Sequence, residues 1–326
     1  MNEPEVPDSD GPDKDREVRL DEIPEGDIEV TRDAGPQWER YWYDPADGSD
    51  IATEDGQRAA LRRLLEAVRR IDADLSAGSL PWVWRGQSRR LWHLIPSMFG
   101  RATTSGDRIA ATEALLKAAE ETSIGTHEGS ALPPLALLAR LQHQGAATPL
   151  LDITTDPFVA LYMAVVDAPN APAPDDALLF AIRQPRQSIR AYDTRPIGEI
   201  LDAVNRTEPD QVFLYVPPPV DQRLRIQRGR FLLCPTTTEA LTNVMKVTTQ
   251  EDLKAVADGT TTDQAALRNV CVIRIPNEIK RAAAEWLALH AGLTVEDIYP
   301  TAFDHPHLEA FAKDHGRTAP YPPEPR

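Results

Sequence analysis

The sequence of 326 residues is poor in cysteine and has no long apolar run. Only Cys234 and Cys271 are present, and no Cys-x-x-Cys or Cys/His zinc spacing occurs. That excludes a disulfide framework and the common zinc modules, and no metal is expected. No N-terminal apolar run resembles a signal peptide, and no stretch reaches the ~18 apolar residues that a membrane helix requires. The expected home is a reducing cytoplasm, away from membranes, with both thiols as core residues. Positive charge is short as well: 35 basic against 51 acidic residues leave a net charge of −16. Duplex binding needs clustered positive charge, so the balance argues against general duplex nucleic-acid binding. There is no Gly-x-x-x-x-Gly-Lys loop, no Gly-x-Ser-x-Gly elbow, no dinucleotide glycine fingerprint and no internal repeat.

The acidity is unevenly spread. The first 50 residues carry 17 acidic and 5 basic side chains, whereas the remainder carries 34 and 30. Residues 1–50 are therefore expected to form an acidic, mostly disordered arm, either simply solvated or covering a basic site on this chain or on a protein partner. Within it, WERYWY (38–43) is aromatic enough to dock onto a domain. Residues 51–77 hold an amphipathic helix, with Leu61, Leu64, Leu65, Val68 and Ile71 at helical spacing and Gly78 as its stop. Further helices are expected over 106–122, after Pro133-Pro134 as far as Gly145, over 156–166 with Asp156 as N-cap and Pro157 in the first turn, and over 277–292. Strands are expected at 82–84, 147–153, 177–183, 212–216, 230–234 and 270–275. Residues 237–265 are polar and ambiguous, and the tail at 314–326 is loose. The fold class is α+β: one main domain with a mixed sheet of five to seven strands and helices packed on it.

Three constellations bear on chemistry. The first is Arg85-Gly86-Gln87, where a strand delivers a guanidinium at its end. Arginine binds phosphate through a rigid fork, and a following glycine lets backbone approach a ligand. The structural alternative is an arginine paired with a carboxylate beside a turn glycine. The second is LLDITTDPFVALYMA (150–164), which sets Asp152, Thr154 and Thr155 between a strand and a buried helix. A helix start favours anions, and hydroxyls there can bind ribose or phosphate. Alternatively, Thr155 and Asp156 only cap the helix and Asp152 pairs with a core arginine. The third is the cluster Arg223, Arg225, Arg228 and Arg230 ahead of an apolar strand, read either as further phosphate contacts or as edge arginines facing water. Asp304, His305 and His307 lack a third convincing ligand. His143, near a helix C-terminus, suits a capping or core role.

The stretches WVWRGQS…WHLIPSMFGR, LLARLQHQGAATPLLDITTDPFVALYMAV, QRGRFLLC and LTVEDIYP resemble, in order and residue type, the FRG domain family, named for an aromatic-Arg-Gly motif, here Trp84-Arg85-Gly86. The resemblance covers residues 78–313 and departs from the family at Pro149, where an arginine is usual, and at Ile153, where a tryptophan is usual. It implies a bacterial cytoplasmic protein in a toxin or phage-defence setting. The layout is also similar to that of ADP-ribosyltransferases, in which a first-strand arginine or histidine holds NAD, hydroxyl residues on a second strand organise the pocket, and a glutamate leads into a later strand. Mapped by order, Arg85 takes the first place, with Gly86 and Gln87 beside it. Thr154 and Thr155 take the second, with Tyr162 on the following helix. Gln227 and Arg228 fall where the glutamate is expected. A glutamine can hydrogen-bond a ribose hydroxyl but cannot serve as a carboxylate base, which allows a weak transferase or NAD glycohydrolase, one using Asp152 instead, or a domain that binds a nucleotide without chemistry. The resemblance thus implies NAD as cofactor or substrate, with Arg85, Asp152 and Gln227 as the catalytic set. The alternatives are a nucleotide sensor without turnover, a protein-interaction module working through the acidic arm, and nucleic-acid chemistry around the arginine cluster.

Overall fold

The computed structural model describes residues 42–73, 80–90, 92, 94–166, 175–206, 212–219, 222–237, 260, 270–299 and 306–315. The acidic arm up to residue 41, the helix stop at Gly78, most of the ambiguous stretch, Asp304, His305 and the tail beyond 315 lie outside the described residues. The strands are β1 (Trp42–Tyr43), β2 (Trp82–Gln87), β3 (Thr126–His127), β4 (Ser130–Ala131), β5 (Leu150–Thr154), β6 (Ala177–Arg183), β7 (Ser188–Ile189), β8 (Phe213–Tyr215), β9 (Gly229–Leu233) and β10 (Val270–Ile275). The α-helices are α1 (Glu54–Asp72), α2 (Ser105–Glu120), α3 (Pro134–His143), α4 (Pro157–Val165), α5 (Ile197–Asn205), α6 (Gln222–Ile226), α7 (Asn277–Ala291), α8 (Val295–Ile298) and α9 (Pro306–His315).

Eight strands form one mixed sheet in the order β1-β10-β6-β2-β5-β9-β8-β7, and β3 and β4 make a separate hairpin. The outer pairs β1–β10 and β7–β8 are parallel, and all pairs between them are antiparallel. The α+β class with a mixed sheet is as expected. The strand count exceeds the expected five to seven because β1 and β7 contribute two residues each, too few to show a period of two.

Local chemistry accounts for the elements. Thr53 caps α1 by accepting from the Gly56 N–H, and the helix buries Leu64, Leu65, Val68 and Ile71 on one stripe. Each such side chain contributes roughly 1.5–3 kcal/mol of transfer free energy. Asp156 Oδ1 accepts from the N–H groups of Phe158 (2.9 Å) and Val159 (3.3 Å), and Pro157 occupies the first turn of α4. The strand ALLFAIR is buried through its first six residues because both of its faces are covered.

Two cores lie side by side on one face of the sheet. The first packs α1, α4 and α7 against alternate residues of β2, β6 and β10, including Trp82, Trp84, Leu179 and Ile273. The second packs α2, α3, α5 and α9 against Leu150, Tyr215, Phe231 and Leu233. A third core covers the opposite face and spans both halves, with Val83, Phe180, Leu151, Ile153 and Leu232 meeting Met98 and Phe99 from the loop after β2.

The charge-based arm boundary at residue 50 falls inside this fold. Tyr43 is buried, β1 pairs with β10, and Arg274 bridges Asp44 and Asp176 (Nε to Asp176 Oδ2, 2.8 Å). Aromatic burial there outweighs the acidic composition.

Candidate functional site

The sheet is not uniformly knitted. β2 faces β6 along six register pairs, but its register with β5 is limited to Trp84 opposite Thr154. Beyond that rung the strands part, and Arg85 occupies the gap. Its Nη1 donates to the Asp152 carbonyl at 2.9 Å and lies 2.7 Å from Asp152 Oδ1. By strand alternation Arg85 shares a face with Val83, and Asp152 shares the other with Thr154. The ion pair therefore runs through the seam. Arg85 keeps 18% of its side-chain surface accessible and Asp152 46%, so the pair opens to solvent on the carboxylate side. At that exposure the pair is worth about 1 kcal/mol or less after screening.

The carboxylate is held from several sides. Gln142 Nε2, near the end of α3, donates to Asp152 Oδ1 at 3.1 Å, and Gln142 in turn accepts from the Thr148 hydroxyl. Withdrawal from water pushes the Asp152 pKa up. The Arg85 charge and hydrogen bond, aided by the His143 charge, outweigh this and hold the carboxyl below its ordinary value. Arg223 Nη1 donates to the His143 carbonyl at 3.1 Å, and its guanidinium lies 4.6 Å from the Tyr299 ring centroid. Burial pushes the Tyr299 hydroxyl above its ordinary value, with the Arg223 charge opposing. The ends of α3, α6 and α8 thus converge over the seam. The cleft they leave has a volume of about 20 Å³ and is lined by Trp84, Arg85, His143, Asp152, Met163 and Gln227, among others.

Arg85, Asp152, Thr154 and Gln227 come together as the sequence suggested, but several have structural employment. The Thr154 hydroxyl donates to the Gln227 carbonyl at 2.7 Å and accepts from the Asp156 N–H at 3.0 Å. Gln227 is buried, and its Nε2 donates to the Ile298 carbonyl at 3.1 Å, which ties α8 to the turn before β9. The Thr155 N–H donates to the Arg228 carbonyl at 3.3 Å. Arg228 adopts a left-handed φ of 48° and pairs with Asp156 at 3.3 Å beside the cleft. Gly86 has a packing reason: a Cβ there would meet the Ala160 carbonyl oxygen of α4 at 1.9 Å. Gln87 is buried, and Tyr162 belongs to the first core, where burial pushes its hydroxyl up to about 12. Neither residue is among those lining the cleft. Of the arginine cluster, Arg223 and Arg225 lie on α6, and Arg230 donates to Gln184 Oε1 at 2.9 Å from an interior strand rather than an edge.

Gln142, His143, Arg223 and Tyr299 complete the site. Their signal was present in the stretches LQHQG, QRLR and IYP. His143 reads as a capping or core residue in sequence because its position opposite Asp152 depends on the α3–β5 turn. Among the described residues, no group of three His, Cys, Asp or Glu side chains comes together as a metal site.

The fold and site define an α+β domain whose sheet carries an arginine–carboxylate cleft at an internal seam. Residues 80–172 match the family model of the FRG domain, so the chain contains an FRG domain running from β2 through α4. The match holds Arg85, Gln142, His143 and Asp152. The later resembling stretches lie beyond it, and the Gln227–Ile298 hydrogen bond joins them to each other beside the cleft. No curated protein and no solved structure matches the chain.

Proposed function

We propose that this FRG domain binds a nucleotide through Arg85, with NAD as the candidate, and that Asp152 stabilises an oxocarbenium-like sugar as the nicotinamide bond breaks. The bonding pair leaves with nicotinamide, and water or an acceptor hydroxyl closes the sugar and releases a proton. The observation that supports this is one line across three adjacent strands: Trp84 opposite Thr154, and Thr154 opposite Gly229. It sets Arg85, Asp152, Thr154 and Gln227 around one cleft, which accords with the order of elements in an ADP-ribosyltransferase-like layout. A volume of about 20 Å³ admits about one water, whereas ligand sites span roughly 300–1,000 Å³. Binding on this reading requires the seam to widen and Arg85 to exchange Asp152 for a phosphate. A setting in toxin action or phage defence accords with the family resemblance.

A second reading, nucleotide binding without turnover, is favoured by Gln227, whose amide is committed to Ile298 where a glutamate would be needed. The test is incubation of wild type, Arg85→Ala and Asp152→Asn with NAD⁺, following binding heat and nicotinamide release. The enzyme reading expects release by wild type alone, with Asp152→Asn still binding. Heat without release selects the sensor reading. No heat from folded wild type removes NAD from both.

A further inference from the structure

We infer a second ligand site, at the β7 edge of the sheet, shaped for a small planar aromatic anion of about mononucleotide size. A cavity of about 660 Å³ opens there between β7, the loop that follows it, α5 and β8. That volume lies within the range of small-molecule sites, unlike the Arg85 cleft. Its floor is apolar, formed by Ile189, Ile200, Val204 and Phe213, the margin of the second core. Ile189 and Phe213 are only half-buried, so apolar area remains for a ring to cover.

The rim is polar and held in shape. The Asp193 N–H donates to the Arg190 carbonyl at 3.2 Å, and the Tyr215 hydroxyl donates from the sheet to the Ala191 carbonyl at 3.3 Å. Between these anchors Tyr192 stands 68% exposed on the cavity wall, an aromatic face available for stacking. Arg195 closes a two-point pair on Asp193, with Nε to Oδ1 at 3.0 Å and Nη2 to Oδ2 at 2.6 Å, and its hydrogen bond holds that carboxyl below its ordinary value. The lining holds two arginines against this single carboxylate. Asp193 is held mainly by Arg195 and also feels the Arg190 charge, and Glu199 acts on Arg195, so the exposed Arg190 guanidinium is the cation left open to an incoming anion. An apolar floor, a stacking ring and one fork-shaped cation together select a planar ring carrying phosphate, sulfonate or carboxylate.

The site stands apart from Arg85, so its test is independent of the proposed reaction. The probe is 1-anilinonaphthalene-8-sulfonate, titrated by fluorescence into the full chain, wild type and variants, at neutral pH. Wild type should bind one equivalent. Arg190→Glu, an exposed change that does not threaten folding, should weaken binding roughly tenfold or more. Ala203→Trp, which fills the cavity from a half-buried position on α5, should abolish it, while Arg85→Ala should bind as wild type does. Displacement by AMP or by 2-naphthoate then tells whether phosphate or carboxylate is preferred. No binding by wild type, unchanged binding by Arg190→Glu, or loss on Arg85→Ala overturns the assignment.

Discussion

Replacing Gly86 by alanine separates two roles for the glycine of the aromatic-Arg-Gly motif. The added methyl would lie 1.9 Å from the Ala160 carbonyl oxygen and 2.7 Å from the Ala164 nitrogen, both backbone atoms of α4. Backbone cannot rotate away as a side chain can. An ordinary carbon–oxygen contact is about 3.3 Å or more, so α4 must retreat by about 1.4 Å. That helix buries Val159, Ala160, Leu161, Tyr162, Ala164 and Val165, so the retreat opens the first core along its length. The expected loss lies at the upper end of the roughly 1–3 kcal/mol seen for overpacking. For a domain of this size it lowers Tm by about 6–12 °C. Guanidinium unfolding followed by circular dichroism measures it, with an unchanged slope showing that the transition is the same. A Gly86→Ala protein of wild-type stability that has lost ligand binding would refute the packing account, because the glycine would then serve ligand approach.

Gln227→Glu restores the carboxylate of the ADP-ribosyltransferase-like layout but should destabilise the fold by roughly 2–4 kcal/mol at pH 7, because a buried anion would face the Ile298 carbonyl without a donor. The folded pKa of the new carboxyl is raised, so the penalty should vanish below about pH 4, where the unfolded glutamate is protonated too. A variant as stable as wild type at pH 7 defeats this reasoning. Asp152 has the opposite sign: its folded pKa is depressed, so its contribution is complete above the unfolded value of about 3.9 and fades as pH falls through the folded pKa. Urea midpoints of wild type and Asp152→Asn should therefore differ by a constant amount at neutral pH and converge in acid; a gap that persists in acid contradicts the ion-pair account. Tyr162→Phe should leave ligand binding unchanged, and absorbance titration should lose one phenol ionising at about 12. A binding defect would place Tyr162 in the site after all.

Much of the fold could be read from the chain because its central strands are apolar runs of strand length bounded by polar or turn residues. ALLFAIR and VCVIRI are strands with the expected bounds, and α7 departs by one residue at its end. The misses include the β3–β4 hairpin and the helices α5, α6, α8 and α9 as well as the short strands β1 and β7. β1 and β7 exist through pairing with β10 and β8, which no two-residue pattern encodes. Sequence order put Arg85, Asp152 and Gln227 in one site, and the adjacency of β2, β5 and β9 brings them together. What the pattern left open was which groups remain available. Thr154 and Gln227 look like ligand contacts in sequence but are consumed by the backbone of the next element, and the pairing of Arg85 with Asp152 was one of two readings. Hydrogen-bond ownership is a tertiary property, decided by the approach of α6 and α8 rather than by residue type.

The single register pair between Trp84 and Thr154 divides the sheet into two leaves. Each leaf has its own helical core, the core on the Val83 face is common to both, and α4 crosses between them, following β5 in the chain and packing in the first core. A wider gap at Asp152 therefore has to be accommodated by α4 and by the shared core rather than by the strands alone. If the cleft widens on binding, as the proposed function requires, substitutions in the shared core far from Arg85 are expected to tune what fits beside it.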